Sequence, residues 1–343
     1  MNRLKLTILL LVVICLAGYS QEKKYALYCV AFYNMENLFD TIHDDGKNDY
    51  DFLPTGSYKW NSHKYQSKLK NMSTIISRLG GKQLQNMGPA VIGLAEVEND
   101  NVLNDLVKQT PIKDRNYQYI HIEGEDLRGI DCALLYNPML FQPTDSKLFP
   151  YINEEDSTYK TRGFLVVTGY LAGENVTFIV NHWPSRAATS PARERAGRQV
   201  RAITDSIMAN DNERKIIIMG DLNDDPVNKS ITEALGAKKS TKGLKPTDLY
   251  DPWWKTFVKD GIGTLMYNGT WNLFDQIIVS GNLIGKDRST LKYLNNAVFN
   301  PEYMFQKQGK YKGYPLRTTA GGVWLNGYSD HLPTQIFLIK EID

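Results

Sequence analysis

The tetrapeptide Gly220-Asp221-Leu222-Asn223 is the feature that most restricts what this chain can fold into. It follows residues 216–219, an apolar run that predicts a buried strand ending at the motif. In α/β proteins, sites are built at the carboxyl ends of such strands. An Asp and an Asn two positions apart on extended backbone point the same way, so they can jointly hold a hard cation, a phosphate oxygen or an attacking water. A simple strand-to-turn connection would use the same residue types.

The amino-terminal residues 1–20 predict a secretory signal peptide. Arg3 and Lys5 make a basic start, and residues 6–17 are mostly apolar. That run is too short to span a bilayer comfortably. Small residues end the segment, so cleavage near Ser20 is expected.

Lipid anchoring at Cys15 is not favoured, because Ile14 stands where a small residue would be expected. We therefore expect an exported protein, periplasmic or secreted, with a single domain over residues 21–343. No later hydrophobic stretch approaches the length of a membrane span, so we expect no integral membrane contact. A monomer is expected.

The charge of the mature chain argues against broad attraction to polyanions. Loss of two of the 40 Lys and Arg residues leaves 38, against 38 Asp and Glu. Strong nonspecific binding of nucleic acid needs a net basic surface or a concentrated patch. Cys29 and Cys132 lie in apolar runs, and we expect buried free thiols, although export would permit a disulfide.

The mature chain predicts strands separated by helices and polar loops. No linker, repeat or low-complexity tract divides it, and residues 296–328 are expected to be irregular surface loops. Strands that are partly paired and partly separated by helices indicate two packed sheets with helices outside. Helices are predicted over residues 65–79, 102–109 and 193–208, and strands over residues 25–33, 90–95, 117–122, 131–136, 163–170, 175–180, 216–219, 273–279 and 334–339.

Polar groups suited to one chemistry recur beside these strands. Each alone has an ordinary structural interpretation, because a lone Glu is usually solvated and a lone His is more often structural. Their recurrence on successive strands indicates one shared site at one sheet edge. The groups are Asn34-Met35-Glu36, Glu96, Asn181-His182-Trp183-Pro184, Asp221 with Asn223, Asp275, and Ser329-Asp330-His331.

These motifs resemble the endonuclease/exonuclease/phosphatase superfamily. The ordered trio of Glu96, the Gly220 motif and the Ser329-Asp330-His331 motif carries the likeness, which covers nearly the whole mature chain. Asn34 and His182 lie in stretches most similar to exported bacterial members. The resemblance implies a four-layer α/β/β/α sandwich of two mixed sheets and a metal-dependent phosphoric ester hydrolase.

The resemblance also implies a role for each position. Metal binding is assigned to Glu96, with Asn34, Glu36 and Asp330 as further ligands. Asp221 would activate the water, and His331, oriented by Asp275, would stabilise charge or transfer a proton. Phosphate contacts are assigned to Asn34, His182, Asn223 and Arg162, and Glu123 is a candidate partner that orients His182.

Physical chemistry supports a metal independently of the resemblance. A phosphodiester anion resists attack by hydroxide, and a divalent cation neutralises charge on its oxygens and leaving group. Oxygen-rich ligands suit Mg²⁺, with Mn²⁺ or Ca²⁺ as substitutes, whereas zinc sites use more His or Cys.

Three functions remain open on the sequence. A phosphodiesterase or nuclease is the favoured one, because arginines cluster after His182, although the solvated face of an amphipathic helix accounts well for the same arginines. A phosphatase or phosphodiesterase acting on a small molecule or lipid headgroup is the second, with aromatic residues near Asp275 as its candidate surface. A non-catalytic binding module is the least favoured, since the chain keeps the catalytic groups. The residues concerned are Arg186, Arg193, Arg195, Arg198 and Arg201 for the nuclease, and Tyr250, Trp253, Trp254, Tyr267 and Trp271 for the small substrate.

Overall fold

Apolar runs form the strands, and amphipathic segments form the helices that cover them. A computed structural model describes residues 23–342, and the predicted signal peptide lies outside the described residues. The helices are α1 (Ser62–Ile76), α2 (Asp100–Val107), α3 (Ser190–Asn210) and α4 (Trp253–Val258). The strands are β1 (Lys24–Leu38), β2 (Val91–Val97), β3 (Gln118–His121), β4 (Asp131–Tyr136), β5 (Phe141–Phe149), β6 (Phe164–Leu171), β7 (Glu174–His182), β8 (Lys215–Asp221), β9 (Ala237–Lys238), β10 (Leu249–Tyr250), β11 (Leu265–Tyr267), β12 (Thr270–Asn272), β13 (Asp275–Ser280), β14 (Lys292–Val298), β15 (Thr319–Ala320), β16 (Val323–Trp324) and β17 (Thr334–Ile342).

Two mixed sheets contain most of these strands. The first sheet has the order β14-β17-β1-β2-β4-β3, and the second has the order β5-β6-β7-β8-β13-β10-β9. β1 and β2 run parallel at the middle of the first sheet, and β7 and β8 run parallel at the middle of the second. The pairs β11-β12 and β15-β16 form separate hairpins.

Three apolar clusters define four layers. The central cluster lies between the sheets and includes Phe32, Phe178 and Met219. A second cluster joins the outer face of the first sheet to α1 and α2, and a third joins the outer face of the second sheet to α3. Each sheet is therefore buried on both faces, which is why its central strands are continuous apolar runs. The predicted sandwich of two mixed sheets with helices outside is confirmed.

Local sequence signals explain where several elements begin and turn. α1 and α2 begin after Asn61 and Asn99, whose side chains accept hydrogen bonds from backbone amides of the first turn. The β6-β7 hairpin turns at Ala172 and Gly173, both in the left-handed region with φ of 54° and 75°. A two-residue turn with positive φ at both positions matches the twist of the strands it connects.

The sequence prediction missed β5 and misjudged residues 296–328. β5 is an edge strand with many exposed polar residues, and Pro143 lies at its register shift, so it lacks an apolar run. Residues 296–328 contain part of β14 and the β15-β16 hairpin, and Met304 and Thr318 within them are buried. That segment is therefore partly internal rather than wholly a surface loop.

Cys29 and Cys132 are free and buried, and burial raises the pKa of both thiols. Among residues 23–342, no helix combines the length and apolar character needed to cross a membrane.

Candidate active site

Adjacent strands of the second sheet place three polar side chains side by side. In the parallel pair β7-β8, His182 lies opposite Asp221, and in the antiparallel pair β8-β13, Asp275 lies opposite the same Asp221. Residues in register on neighbouring strands direct their side chains to the same face. Gly220 permits this close pairing, because a Cβ there would lie 2.3 Å from the carbonyl oxygen of Asn181.

The first sheet contributes Asn34 and Glu96 from its parallel pair. Asn34 on β1 lies opposite Ala95 on β2, and the register shifts immediately afterwards. Irregular pairing of this kind re-aims side chains and is common beside active sites. Glu96 has a left-handed backbone with φ of 61°, and its Oε2 accepts a hydrogen bond from the Asn37 amide at 2.9 Å. Its Oε1 is left facing the other sheet.

Contacts between the sheets join these groups into one cluster. Asn34 Nδ2 donates to Asp221 Oδ2 at 3.0 Å. His182 Nε2 lies 3.7 Å from Glu96 Oε1 and 3.7 Å from Asp221 Oδ2. Residues separated by more than a hundred positions in the chain therefore surround one small volume.

His331 closes the cluster from the loop that precedes β17. Its Nδ1 lies 2.8 Å from Asp275 Oδ2, and its Nε2 lies 3.7 Å from Asp221 Oδ2. Ser329 Oγ accepts from the His331 amide at 3.1 Å and donates to the carbonyl oxygen of Asn34 at 2.8 Å. Both the ring and the backbone of His331 are thus fixed relative to the two sheets.

Asn223 and Arg162 flank the same edge and share one partner. Asn223, left-handed with φ of 51°, donates from Nδ2 to the carbonyl oxygen of Trp183 at 3.0 Å. Arg162 donates from Nη2 to that oxygen at 2.7 Å and from Nη1 to Asp126 Oδ2 at 3.1 Å. Both side chains are therefore anchored on the backbone of the residue that follows His182.

Glu36 and Asp330 both contact Arg317, which the sequence did not predict as part of the site. Glu36 Oε1 accepts from Arg317 Nε at 3.0 Å, and Glu36 Oε2 accepts from the Thr318 amide at 2.7 Å. Asp330 Oδ2 lies 3.0 Å from Arg317 Nη2, whereas its Oδ1 lies 4.0 Å from His331 Nε2. A metal role for Glu36 stays a prediction. Both of its oxygens accept hydrogen bonds, whereas Asp330 Oδ1 makes none within the described residues.

The donor set fits a hard divalent cation. Glu96 Oε1 makes no hydrogen bond within the described residues, and it lies across His182 Nε2 from Asp221 Oδ2, at 3.7 Å on each side. Ligand atoms of Asp221, Asp275 and His331 lie within 4.8 Å of one another. Carboxylate and amide oxygens are the ligands that Mg²⁺, Mn²⁺ and Ca²⁺ prefer. Concentrated negative charge in a buried site also favours a cation, since uncompensated buried carboxylates are costly.

Comparison with known proteins shows which family the chain belongs to. Residues 29–340 match the Endonuclease/Exonuclease/phosphatase family. The chain belongs to this family. As a family member it is a phosphoester hydrolase, and the family's enzymes use divalent metals. The narrower expectation of an exported bacterial member stays a prediction, and no curated protein matches the sequence.

Solved structures of the family share the fold at low sequence identity. A family protein from Bacteroides thetaiotaomicron superposes with a TM-score of 0.56 at 16% identity, over 94% of this chain and 98% of its own. A B. thetaiotaomicron mannosyl-6-phosphatase gives 0.55 at 16% identity, over 91% and 99%. A humanized D. rerio TDP2 gives 0.54 at 13% identity, over 91% and 98%.

The predicted contact between Glu123 and His182 is wrong. Glu123 does not orient His182, because its carboxylate pairs with Lys47 Nζ at 2.6 Å and is about half exposed. His182 Nδ1 is buried and has no hydrogen-bond partner within residues 23–342. Glu123 instead lies with His121 and Asp131 in a second acidic group. The ammonium of Lys47 supplies the positive charge there.

Lys68 and Arg317 are the site residues that the sequence reading missed. Lys68 is fully buried in α1, where its Nζ donates to Thr318 Oγ1 and to the carbonyl oxygen of Tyr328. One signal could have revealed it, since Lys68 falls on the apolar stripe of α1 beside Leu69. A lysine on a buried face requires polar partners. Arg317 gives no such signal, because it lies in irregular sequence.

The pKa values of the two histidines of the site are shifted in opposite directions. Burial alone would lower the pKa of His331, but the charges of Asp275 and Asp221 outweigh it and raise that pKa well above its usual value. Burial and the charge of Arg162 lower the pKa of His182 well below its usual value. These opposite shifts favour the imidazolium form of His331 and the neutral form of His182. Burial raises the pKa of Asp221 to about 7, against the opposing charge of His331.

The raised pKa of Asp221 predicts a pH-dependent effect of Asp221→Asn on stability. Folding raises this pKa from 3.8 to about 7. Protonated Asp221 therefore makes its full contribution to the stability of the folded protein below pH 4, and this contribution is lost as the pH rises through 7. The asparagine of the variant does not titrate, so the variant lacks this pH-dependent contribution. Its free energy of unfolding relative to wild type should rise by about 1–4 kcal/mol between pH 4 and pH 8.

Urea unfolding in EDTA at both pH values measures this change. Asp45→Asn, at an exposed carboxylate, is the matched control and should give the same difference from wild type at both pH values. An Asp221→Asn difference that is flat with pH would contradict the proposed burial of the charged group.

Proposed function

We propose that this protein hydrolyses a small or neutral-headed phosphoester, using a divalent metal and a water activated by Asp221. The observation that carries the proposal is the position of the Asp221 carboxylate. Its Oδ2 lies within 3.7 Å of the Nε2 atoms of both His182 and His331, and its Oδ1 accepts from the Asn223 amide at 3.0 Å. A carboxylate held between two imidazoles and an amide is suited to proton transfer beside a phosphate.

Asp221 is the proposed general base. With a pKa of about 7 it can accept a proton from water near neutral pH, where the ideal catalytic pKa lies. The water oxygen forms a bond to phosphorus while the bond from phosphorus to the leaving oxygen breaks, and the water proton passes to Asp221. Asn34 Nδ2 orients the carboxylate through its 3.0 Å hydrogen bond to Oδ2.

The two histidines provide donors for the charge that develops on phosphorus. The Nδ1 atom of His331 is held by Asp275, so the Nε2–H of its imidazolium is free to donate to a phosphate oxygen. His182 Nε2 faces the same volume from the opposite sheet. The hydrogen bond to Asp275 fixes the ring of His331, which limits reorganisation during the reaction.

Glu96 and Asp330 are the proposed acidic ligands of the metal, with Asn34 beside them. A bound divalent cation would neutralise charge on the nonbridging oxygens and the leaving group. Mg²⁺ is the proposed ion, because the donors are oxygens and no cysteine lies among them. Glu96 holds its orientation through the hydrogen bond from the Asn37 amide.

The arginines after His182 favour a small substrate over nucleic acid. Arg186 pairs with Asp225 Oδ2 at 2.9 Å and lies over the Phe274 ring at 4.3 Å. Arg193 pairs with Asp224 at 2.9 Å. Charges already neutralised within the fold contribute little to phosphate-backbone binding. The remaining pairs are Arg195 with Glu155 and Arg201 with Asp205, and Arg198 is exposed.

The aromatic residues near Asp275 divide between core and rim. Trp253 is fully buried and donates to the carbonyl oxygen of Ile277, so it is structural. Tyr267, by contrast, is 53% exposed in the β11-β12 hairpin, and Leu265 of that hairpin pairs with His331. The rim beside His331 therefore offers an aromatic face, as a sugar or lipid headgroup would need. A mannosyl-6-phosphatase shares the fold, although D. rerio TDP2 bound to a single-stranded DNA product does as well.

The proposal predicts that His331→Ala and Asp221→Asn lower turnover of bis-p-nitrophenyl phosphate by about 10²–10⁴-fold, the range for a charge-stabilising or proton-transfer group. His63→Ala, at an exposed histidine, and Glu123→Gln are the matched controls and should keep near wild-type rates. Circular dichroism would show that each variant folds. Near wild-type hydrolysis by purified His331→Ala would refute the assignment.

Metal removal gives a second prediction. Excess EDTA should abolish hydrolysis, and Mg²⁺ or Mn²⁺ should restore it, because the charge on the phosphate is otherwise uncompensated. Glu96→Gln should raise the metal concentration for half-maximal activity by about tenfold or more. Full activity in excess chelator would remove the metal from the mechanism.

Salt dependence separates the two substrate classes. We expect kcat/KM for the preferred substrate to change little between 50 and 200 mM NaCl, because few phosphates are contacted at once. A nuclease that contacts 6–10 phosphates would lose about 10³–10⁵ in affinity over that range. The panel should compare plasmid DNA, RNA, sphingomyelin, inositol phosphates and sugar phosphates, and a steep salt slope with DNA as the best substrate would contradict the small-substrate proposal.

A further inference from the structure

Arg317 is tied into the site by two carboxylates on different parts of the chain. Its Nε donates to Glu36 Oε1 at 3.0 Å, and its Nη2 lies 3.0 Å from Asp330 Oδ2. Glu36 belongs to β1, and Asp330 belongs to the loop that carries His331. The guanidinium therefore bridges the first sheet and the catalytic loop.

One end of this guanidinium is left available. The two carboxylates lie at Nε and Nη2 of the planar group. Within the described residues, Nη1 makes no hydrogen bond or ion pair, and the Arg317 side chain is 42% exposed. An arginine held in this way offers the paired N–H groups at its end to a planar or tetrahedral oxyanion.

The available end lies beside the reacting groups. Asp330 lies near both Arg317 and His331, since its Oδ2 is 3.0 Å from Arg317 Nη2 and its Oδ1 is 4.0 Å from His331 Nε2. A phosphate held at His331 could thus extend an oxygen toward the guanidinium.

Buried contacts keep Arg317 in position. Glu36 is 4% exposed and also accepts from the Thr318 amide at 2.7 Å. The ammonium of Lys68 lies 3.8 Å from Glu36 Oε2 and donates to the Thr318 side chain. Two cations and a backbone amide therefore surround Glu36, and both of its oxygens have partners.

We propose that Arg317 is a substrate-binding residue that contacts a phosphate oxyanion, in the place where a second divalent ion would otherwise lie at Glu36. The site would then combine one metal, at Glu96 and Asp330, with one guanidinium. This inference rests on the proposed phosphoesterase function and names the second positive charge of that same site.

Arg317→Gln tests the inference, with inorganic phosphate as the probe. In Mn²⁺-loaded protein, phosphate affinity measured by calorimetry should fall by about 10- to 100-fold, the range for loss of a charged hydrogen bond. Arg317→Lys keeps the positive charge but lacks the planar, bidentate donor geometry of a guanidinium. Its affinity for phosphate should therefore lie between those of wild type and Arg317→Gln. Arg78→Gln, at an exposed arginine at the end of α1, is the matched control and should bind like wild type.

The number of bound metals is an independent readout. Wild-type protein should bind one Mn²⁺ per chain by electron paramagnetic resonance titration, and Arg317→Gln should gain a weaker second ion as Glu36 loses its guanidinium partner. Two Mn²⁺ ions on wild type, or phosphate affinity of Arg317→Gln within twofold of wild type, would overturn the inference. Failure of the function itself would look different, because wild-type protein would then neither bind Mn²⁺ nor hydrolyse bis-p-nitrophenyl phosphate.

Discussion

The hydrogen bond from Asn34 to Asp221 is the contact on which the rest of the site depends. It joins the two sheets at the edge where both parallel pairs end, at a separation of 3.0 Å. Two sheets packed face to face can bring such strand ends together only if their twist and register agree. The apolar core between the sheets fixes that register. Burial of apolar side chains between the sheets therefore determines where the Asp221 carboxylate lies, and the strands themselves place the proposed base in a desolvated position.

Desolvation of Asp221 is costly for stability and useful for chemistry. A carboxyl group buried between two imidazoles and further carboxylates keeps its proton to about pH 7, far above its ordinary range. Backbone strain adds to this cost, since Glu36, Asn37, Glu96 and Asn223 all have left-handed conformations near the site. Such strain persists only where the surrounding structure is over-determined. Here the two buried sheets provide that rigidity.

The sequence predicts the parts of this site that local signals encode. An apolar run that ends in a polar residue marks both the strand and the position of its terminal side chain, as for Glu96 and Asp221. Spacing alone does not reveal β5, because an edge strand needs only one apolar face and has polar residues elsewhere. It also cannot reveal the partner of Glu36, because Arg317 lies 281 residues further along the chain. Tertiary contacts of that separation leave no periodic signature.

The function of a carboxylate is set by its neighbours more than by its motif. Glu36 and Glu96 both follow apolar strand segments, and both stand in positions where a metal ligand is expected by resemblance. Glu96 keeps an oxygen directed at His182 and Asp221, whereas Glu36 is enclosed by Arg317, Thr318 and Lys68. The buried Lys68 is decisive in this difference, because a lysine removed from water requires a nearby anion. Glu36 compensates the charge of Lys68 and accepts a hydrogen bond from Arg317. The positive charge beside Glu36 at the site is therefore that of a guanidinium. The same sheet edge thus holds two chemically distinct proposed anchors for a phosphate, a carboxylate that would hold a metal and a guanidinium, and the charges of the buried neighbours distinguish them.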